Sequence, residues 1–497
     1  MTERPLTQTP PPSSALSAPP FSGRTPAGAG DLRVETHGIA PIPLDRRYGS
    51  PRRLFTVWFA PQVNMTGVFT GALAITLGLG FWLGMLAMVI GTVLGSLVVG
   101  YLSTWGPRTG TAQLPTGRMA FGGTVVLPAA LQWLSSIAWD ALVGLFGGEA
   151  LAALLGIPFW AAVLIVLGVQ GVVGFFGYEL IHRLQAVLTV VLLATFVVFA
   201  VRLVGGHDVV VPATVTGADL VGAFVLEVTI ALSLSVSWAS YAADFSRYLP
   251  ADSSPLRVFG YSFAGIAVAY TFIQGIGVAA GELVSEHSVE GVQSVMGGGV
   301  IGALALAIIA LASVGSGVMN DYSGSLALQT LGVRLRRPVS SVVVTVAAFA
   351  LILWLHAADT ATRFQDVLLL IGYWIPGFVA VVVIDWVLRL RRRTVVSGAD
   401  VGSGVAVVDP AVERTGRADA VAALVAFVVA YVAAVPFMNT TLIQGPVALA
   451  WHGADVAYFV DFAVALVLYG GYRWSRRPSS VSTPVTPASE PARDGEE

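Results

Sequence analysis

The chain has 497 residues, of which 55% are hydrophobic and only 11% charged, with a mean hydropathy of +0.78. Soluble domains carry about a quarter charged residues, so this composition points to a membrane protein. A net charge of -2 offers no basic face for nucleic acid, and the absence of cysteine excludes disulfides, thiol nucleophiles and thiolate metal sites.

Residues 1–53 are rich in Pro, Ser, Thr and Gly and read as a disordered tail without a signal-peptide pattern. Twelve apolar stretches follow, each near the roughly 20 residues that cross about 30 Å of hydrocarbon as a helix. They run Leu54 to Leu79, Phe81 to Thr104, Met119 to Gly147, Phe159 to Tyr178, Leu184 to Leu203 and Ala218 to Tyr241. The second half gives Val258 to Gly281, Gly298 to Gly324, Val339 to His356, Phe364 to Leu388, Val421 to Phe437 and Ala454 to Trp474. A polar connection, 394–419, reads as a cytoplasmic linker, and 475–497 as a second disordered tail. All 27 cationic residues are arginine, and within this pattern only Arg202 and Arg363 fall in the alternate connections. The positive-inside rule then predicts an all-α protein of the cell membrane, with twelve spans and both termini cytoplasmic.

Polar residues inside such spans are costly and therefore informative. In the first span, Pro61, Gln62, Asn64, Thr66 and Gly67 interrupt one apolar run, which predicts a broken helix because proline frees carbonyls one turn back. The sixth span ends in Ser233, Ser235, Ser237, Trp238, Ser240, Tyr241 and Asp244. Spans one and six hold equivalent places in a five-plus-five inverted repeat, and paired interruptions point to a transporter's central site. Taken singly, each is also what a kinked helix would give. The third span carries Ser135, Ser136, Trp139 and Asp140, and the eighth carries Ser313, Gly315, Ser316, Gly317, Asn320 and Asp321. Stacking aromatics with a nearby amide suit a flat, nitrogen-rich ring. Trp139 and Trp238 could also be packing aromatics, and Asn320 an interhelical hydrogen bond. The glycine-rich run from Gly168 to Gly177 reads as close helix packing.

These residues resemble the nucleobase:cation symporter-1 family, purine-cytosine permease branch. The resemblance rests on Val57-Trp58-Phe59-Ala60 with Asn64, on Trp139-Asp140, on the string from Trp238 to Pro250, on Asn320-Asp321-Tyr322-Ser323 and on Leu368 to Trp374. It implies a leucine-transporter-type fold: inverted repeats at 54–203 and 218–388, with two peripheral helices at 421–474. It also implies a base sandwiched between Trp139 and Trp238 and held by Asn320; the polar residues Gln62, Asn64, Ser316 and Asp140 in the same spans are further candidate contacts. Val143 and Ser316 stand where many fungal relatives carry asparagines, so the preferred base stays open among cytosine, purines, uracil, allantoin, a hydantoin or a vitamin heterocycle.

For coupling, the intramembrane acids Glu227 and Asp140 are the expected proton carriers. Sodium is the alternative, because sodium-coupled relatives place hydroxyls on span eight opposite carbonyls of span one. Here the matching positions are Val314 and Gly315, leaving Ser313 and Ser316 as substitutes and no resident metal or cofactor. The expected partners are a small nucleobase and the lipid bilayer, with no nucleic acid and no obligate protein partner. Two other classes fit less well. A channel needs rings of like residues or a polar helix stripe, and a hydrolase built on Ser135 or Ser136 with Asp140 has no histidine at comparable depth.

Overall fold

The computed structural model describes residues 38–175, 178–284, 288–333, 337–396, 408 and 415–476. In chain order its helices are α1 Arg53–Phe59, α2 Met65–Thr76, α3 Gly80–Ser103, α4 Trp105–Thr109, α5 Gln113–Phe121 and α6 Val126–Leu155. Next come α7 Phe159–Phe175, α8 Tyr178–Gly206, α9 Gly217–Val236, α10 Pro255–Val284, α11 Ser288–Met296 and α12 Gly299–Thr330. The chain ends with α13 Arg337–Ala357, α14 Thr360–Leu370, α15 Ile375–Val396, α16 Arg417–Ala434, α17 Pro446–Ala450 and α18 Ala457–Ser475. Among the described residues, eight helical runs are long and apolar enough to cross a membrane. Three shorter apolar helices accompany them: Met65–Thr76, Phe159–Gly174 and Val342–Ala357.

Large apolar side chains such as Trp82, Val190 and Val201 lie on the outside, while Gln62, Glu227 and Arg247 are buried. A soluble protein would not carry so extensive an apolar exterior; a surface facing lipid does. Glycines set how closely the helices approach. On α3, a Cβ at Gly91 would sit 2.3 Å from the Val228 carbonyl of α9, and one at Gly95 would sit 2.1 Å from Ser235 Oγ. The spacing is the small-xxx-small pattern of membrane helix pairs. The same approach joins α2 to α10 at Gly71 and Gly277. At Gly168, by contrast, there is open space, so that part of the glycine-rich run does not serve close packing.

The first apolar stretch divides into α1 and α2, with a 3-10 turn over Ala60–Gln62 between them. The sixth passes from α9 into a 3-10 segment, Ser237–Tyr241, instead of continuing as an α-helix. The third stretch differs from its expected bounds: α5 ends before Gly122, whose φ of 52° no β-carbon favours, and α6 starts only at Val126. An unexpected interruption, with Gly372 inside it and Pro376 just after it, divides the tenth stretch between α14 and α15, across Ile371 to Trp374. Residues 38–52, expected to belong to the N-terminal tail, pack on the bundle: Ile42 N donates to the Gly110 carbonyl at 2.8 Å and Tyr48 N to the Tyr248 carbonyl at 2.6 Å. The rest of that tail, the 475–497 tail beyond Arg476 and most of the 394–419 linker lie outside the described residues.

Candidate functional site

The break between α1 and α2 follows from its residues. Pro61 and the turn leave the Pro61 carbonyl outside any α-helical ladder, and Asn64 adopts an extended backbone (φ -147°, ψ 173°) that caps α2. Asn64 Oδ1 accepts from Gly67 N at 3.0 Å. Its Nδ2 donates to the Pro61 carbonyl at 2.6 Å and to Ser316 Oγ of α12 at 2.9 Å. The Ser316 hydroxyl also donates to the Pro61 carbonyl. Beside them Gln62 is fully buried, and neither atom of its side-chain amide has a hydrogen-bond partner.

The aromatic side of the site comes from α6 and from the 3-10 segment after α9. Trp238 packs edge-on against Trp58 of α1 (ring centroids 5.7 Å apart) and against Tyr241 (5.5 Å), and its Nε1 donates to Tyr270 Oη of α10 at 2.8 Å. Trp139 is buried on α6. Its neighbour Asp140 sits beside Asn320 and Asp321 of α12 and Gln170 of α7. Gln170 Nε2 donates to Asp321 Oδ2 at 3.1 Å. Tyr241 accepts from Gln132 Nε2 at 2.5 Å and lies in the field of Asp140 and Asp321.

From the α1–α2 break Asn64 reaches Ser316 of α12; one turn further along α12 Asn320 stands beside Asp140, and Tyr241, in the field of Asp140, packs on Trp238. Two expected residues lie elsewhere. Ser313, one turn before Ser316 on α12, is committed to α6, its Oγ donating to the Val143 carbonyl at 2.9 Å. Glu227 is buried with neither carboxylate oxygen hydrogen-bonded, ten residues ahead of Ser237 on the same helical run, or about 15 Å along the axis. Gln170, Tyr270 and the α14–α15 break are additions to the expected set. Ser135, one turn before Trp139, donates to the Ile371 carbonyl at 3.0 Å and accepts from Trp374 Nε1 at 3.1 Å, which brings that break against α6. Gln170 had a readable signal, a lone amide in an apolar run; Tyr270 had none.

Residues 41–461 match the family described as permeases for cytosine/purines, uracil, thiamine and allantoin. The chain belongs to this family. It is a multi-pass secondary transporter acting on a small nucleobase-like substrate, and not an enzyme. Among the permease's relatives, a provisionally named purine-cytosine permease of Bacillus subtilis (strain 168), YxlA, is 25% identical over 451 residues, covering 88% of this chain and 95% of its own. The purine-cytosine permease fcyB of Emericella nidulans is 26% identical over 470 residues, with 89% and 88% covered. In fold, the permease is similar to Mhp1, a nucleobase-cation-symport-1 family transporter solved with bromovinylhydantoin bound, at a TM-score of 0.69 and 20% identity over 89% of this chain and 96% of that one.

Proposed function

We propose that this permease imports a nucleobase, cytosine or a purine, by proton symport, with access alternating around a site at the helix breaks. Trp139 and Trp238 would stack on the ring, Asn320 would pair with its edge, and Gln62 would supply a second amide. Gln62 is the observation that carries this reading. A buried polar group left unpaired costs about 1–3 kcal/mol, so a buried amide without a protein partner argues for a ligand that brings both a donor and an acceptor, as a base edge does.

The finer architecture belongs to the same proposal: twelve spans, inverted repeats at 54–203 and 218–388, two flanking spans at 421–474 and cytoplasmic termini. Helix pairing supports the repeat. Under a pseudo-two-fold that exchanges spans one with six and two with seven, the contact of span one with span seven becomes that of span six with span two. Both pairs are closed by glycines, α2 on α10 at Gly71 and Gly277 and α3 on α9 at Gly91 and Gly95. For the coupling ion, Asp140 beside Asn320 is the better placed acid, with Glu227 as the more distant one. Ser313, turned toward α6, gives sodium little to bind.

The test is uptake of labelled cytosine and adenine into proteoliposomes under an imposed pH gradient, with and without sodium. Saturable accumulation that collapses with the gradient is expected. Accumulation of neither base would reject the nucleobase reading. Accumulation of labelled allantoin, a hydantoin, thiamine or pyridoxine, with neither base taken up, would assign the cargo to one of those heterocycles instead.

A further inference from the structure

The cation-symport reading, on which this inference rests, leaves the coupling ion to be settled by the atoms at the α1–α2 break. A sodium ion at a broken membrane helix is held by carbonyls freed at the break and by hydroxyls of a facing helix. Both oxygens are present: the Pro61 carbonyl and Ser316 Oγ. The two are hydrogen-bonded to each other, and a side chain already bridges both. Asn64 Nδ2 donates one hydrogen to Pro61 O at 2.6 Å and the other to Ser316 Oγ at 2.9 Å, which uses both donors of the amide. The orientation of the amide is not arbitrary, because Oδ1 is fixed as acceptor by Gly67 N at 3.0 Å. The partial positive charge on Nδ2 thus stands where a cation would, tethered to the chain and unable to dissociate. The next positions on α12, Val314 and Gly315, add no side-chain oxygen, and Ser313 is committed to the Val143 carbonyl.

We propose that the Asn64 amide is a built-in substitute for a coupling sodium ion. It ties the broken first span to α12 in a sodium-independent way, and replacing Nδ2 by an oxygen turns the same position into a sodium site. In Asn64→Asp, a carboxylate oxygen would meet the Pro61 carbonyl and Ser316 Oγ, giving three oxygen ligands and one buried negative charge for a cation to balance.

The test needs no substrate. The purified full-length protein, wild type and Asn64→Asp, is unfolded thermally at pH 8.5 in sodium chloride and in choline chloride at equal ionic strength, followed by tryptophan fluorescence. The wild type should unfold at the same midpoint in both salts. Asn64→Asp should be stabilised by sodium alone, by about 2 °C or more and saturably. Saturable, sodium-specific stabilisation of the wild type would overturn the proposal, and so would a folded Asn64→Asp that does not distinguish the salts. Should Asn64→Asp fail to fold, the wild-type comparison still decides. Because only the ion is varied, failure here is distinct from failure of base uptake, which would count against the transported cargo instead.

Discussion

Each buried polar side chain at the helix breaks is either committed to the protein or left for something else, and mutation separates the two. Asn64 is committed through every atom of its amide. Gln62 is not: its amide is buried and unpartnered. Replacing Gln62 by Met keeps the volume and removes the unsatisfied groups, so Gln62→Met should leave thermal stability unchanged or raise it while weakening base binding about tenfold or more. Unchanged base affinity in that variant would remove Gln62 from the site. Asn320, beside Asp140, should behave differently: Asn320→Ala should abolish uptake with membrane insertion intact, and normal uptake kinetics would exclude it as a base contact. Glu227 has burial but no hydrogen-bonding neighbour, and its distance from the break makes it a relay at most. Glu227→Gln should slow pH-driven accumulation while leaving base-for-base exchange unaffected, and undiminished accumulation would show that Asp140 suffices.

Among the elements, the breaks differ in how far the chain announces them. The first was legible because Pro61, Gln62 and Asn64 stand inside an apolar run, where each must be explained. The division of α14 from α15 is marked only by Gly372 inside it and Pro376 in the first turn of α15, within an otherwise apolar run, and its partners are remote in sequence. Ser135 takes up the Ile371 carbonyl, and Asp461 of α18 accepts from Gly377 N at 2.6 Å, 236 and 84 residues away. The packing of residues 38–52 was hidden for a similar reason, since its contacts run largely through backbone groups that composition does not report. Glycine-mediated helix pairing was legible as a pattern but not as a location. On α10 a Cβ at Gly277 would lie 2.0 Å from the Val68 carbonyl of α2, whereas Gly168 on α7 meets nothing within 4 Å. Gly277→Ala should therefore force α2 and α10 apart and destabilise the protein by about 1–3 kcal/mol. Gly168→Ala should be neutral or slightly stabilising. Equal thermal midpoints for the two variants would show that the close approach does not limit stability.

For the molecule as a whole, alternating access requires one end of the bundle to part while the other holds, and the segment from Gly38 to Arg53 fastens one end. Gly38 O accepts from Arg247 Nη1 at 2.6 Å, and Arg47 Nη1 donates to the Pro107 carbonyl at 2.6 Å. Arg247 is itself buried and donates through Nη2 to Tyr322 Oη of α12 at 2.8 Å, so this segment, the chain after α9 and α12 share one knot. Its other anchor is Glu179, which accepts from Tyr48 Oη at 3.1 Å and pairs with Arg53 at 2.9 Å. Burial first, and the Glu179 carboxylate next, push the Tyr48 phenol above its ordinary value, so it stays a donor at neutral pH. A charged hydrogen bond of this kind contributes about 1.5–3 kcal/mol, and about 1.4 kcal/mol is already a tenfold change in a two-state equilibrium. Glu179→Gln should thus populate the state open on this face. The absence of native cysteine makes the measurement clean, because a single Ser237→Cys beside Trp238 is the only thiol that can react. A membrane-impermeant maleimide applied from the face that carries Gly38 to Tyr48 should label it about tenfold faster in the Glu179→Gln background. Labelling from the opposite face should slow, because opening one end closes the other. Faster labelling from both faces would mean that the bundle has loosened rather than switched, and unchanged labelling from both would mean that the segment does not hold this end shut.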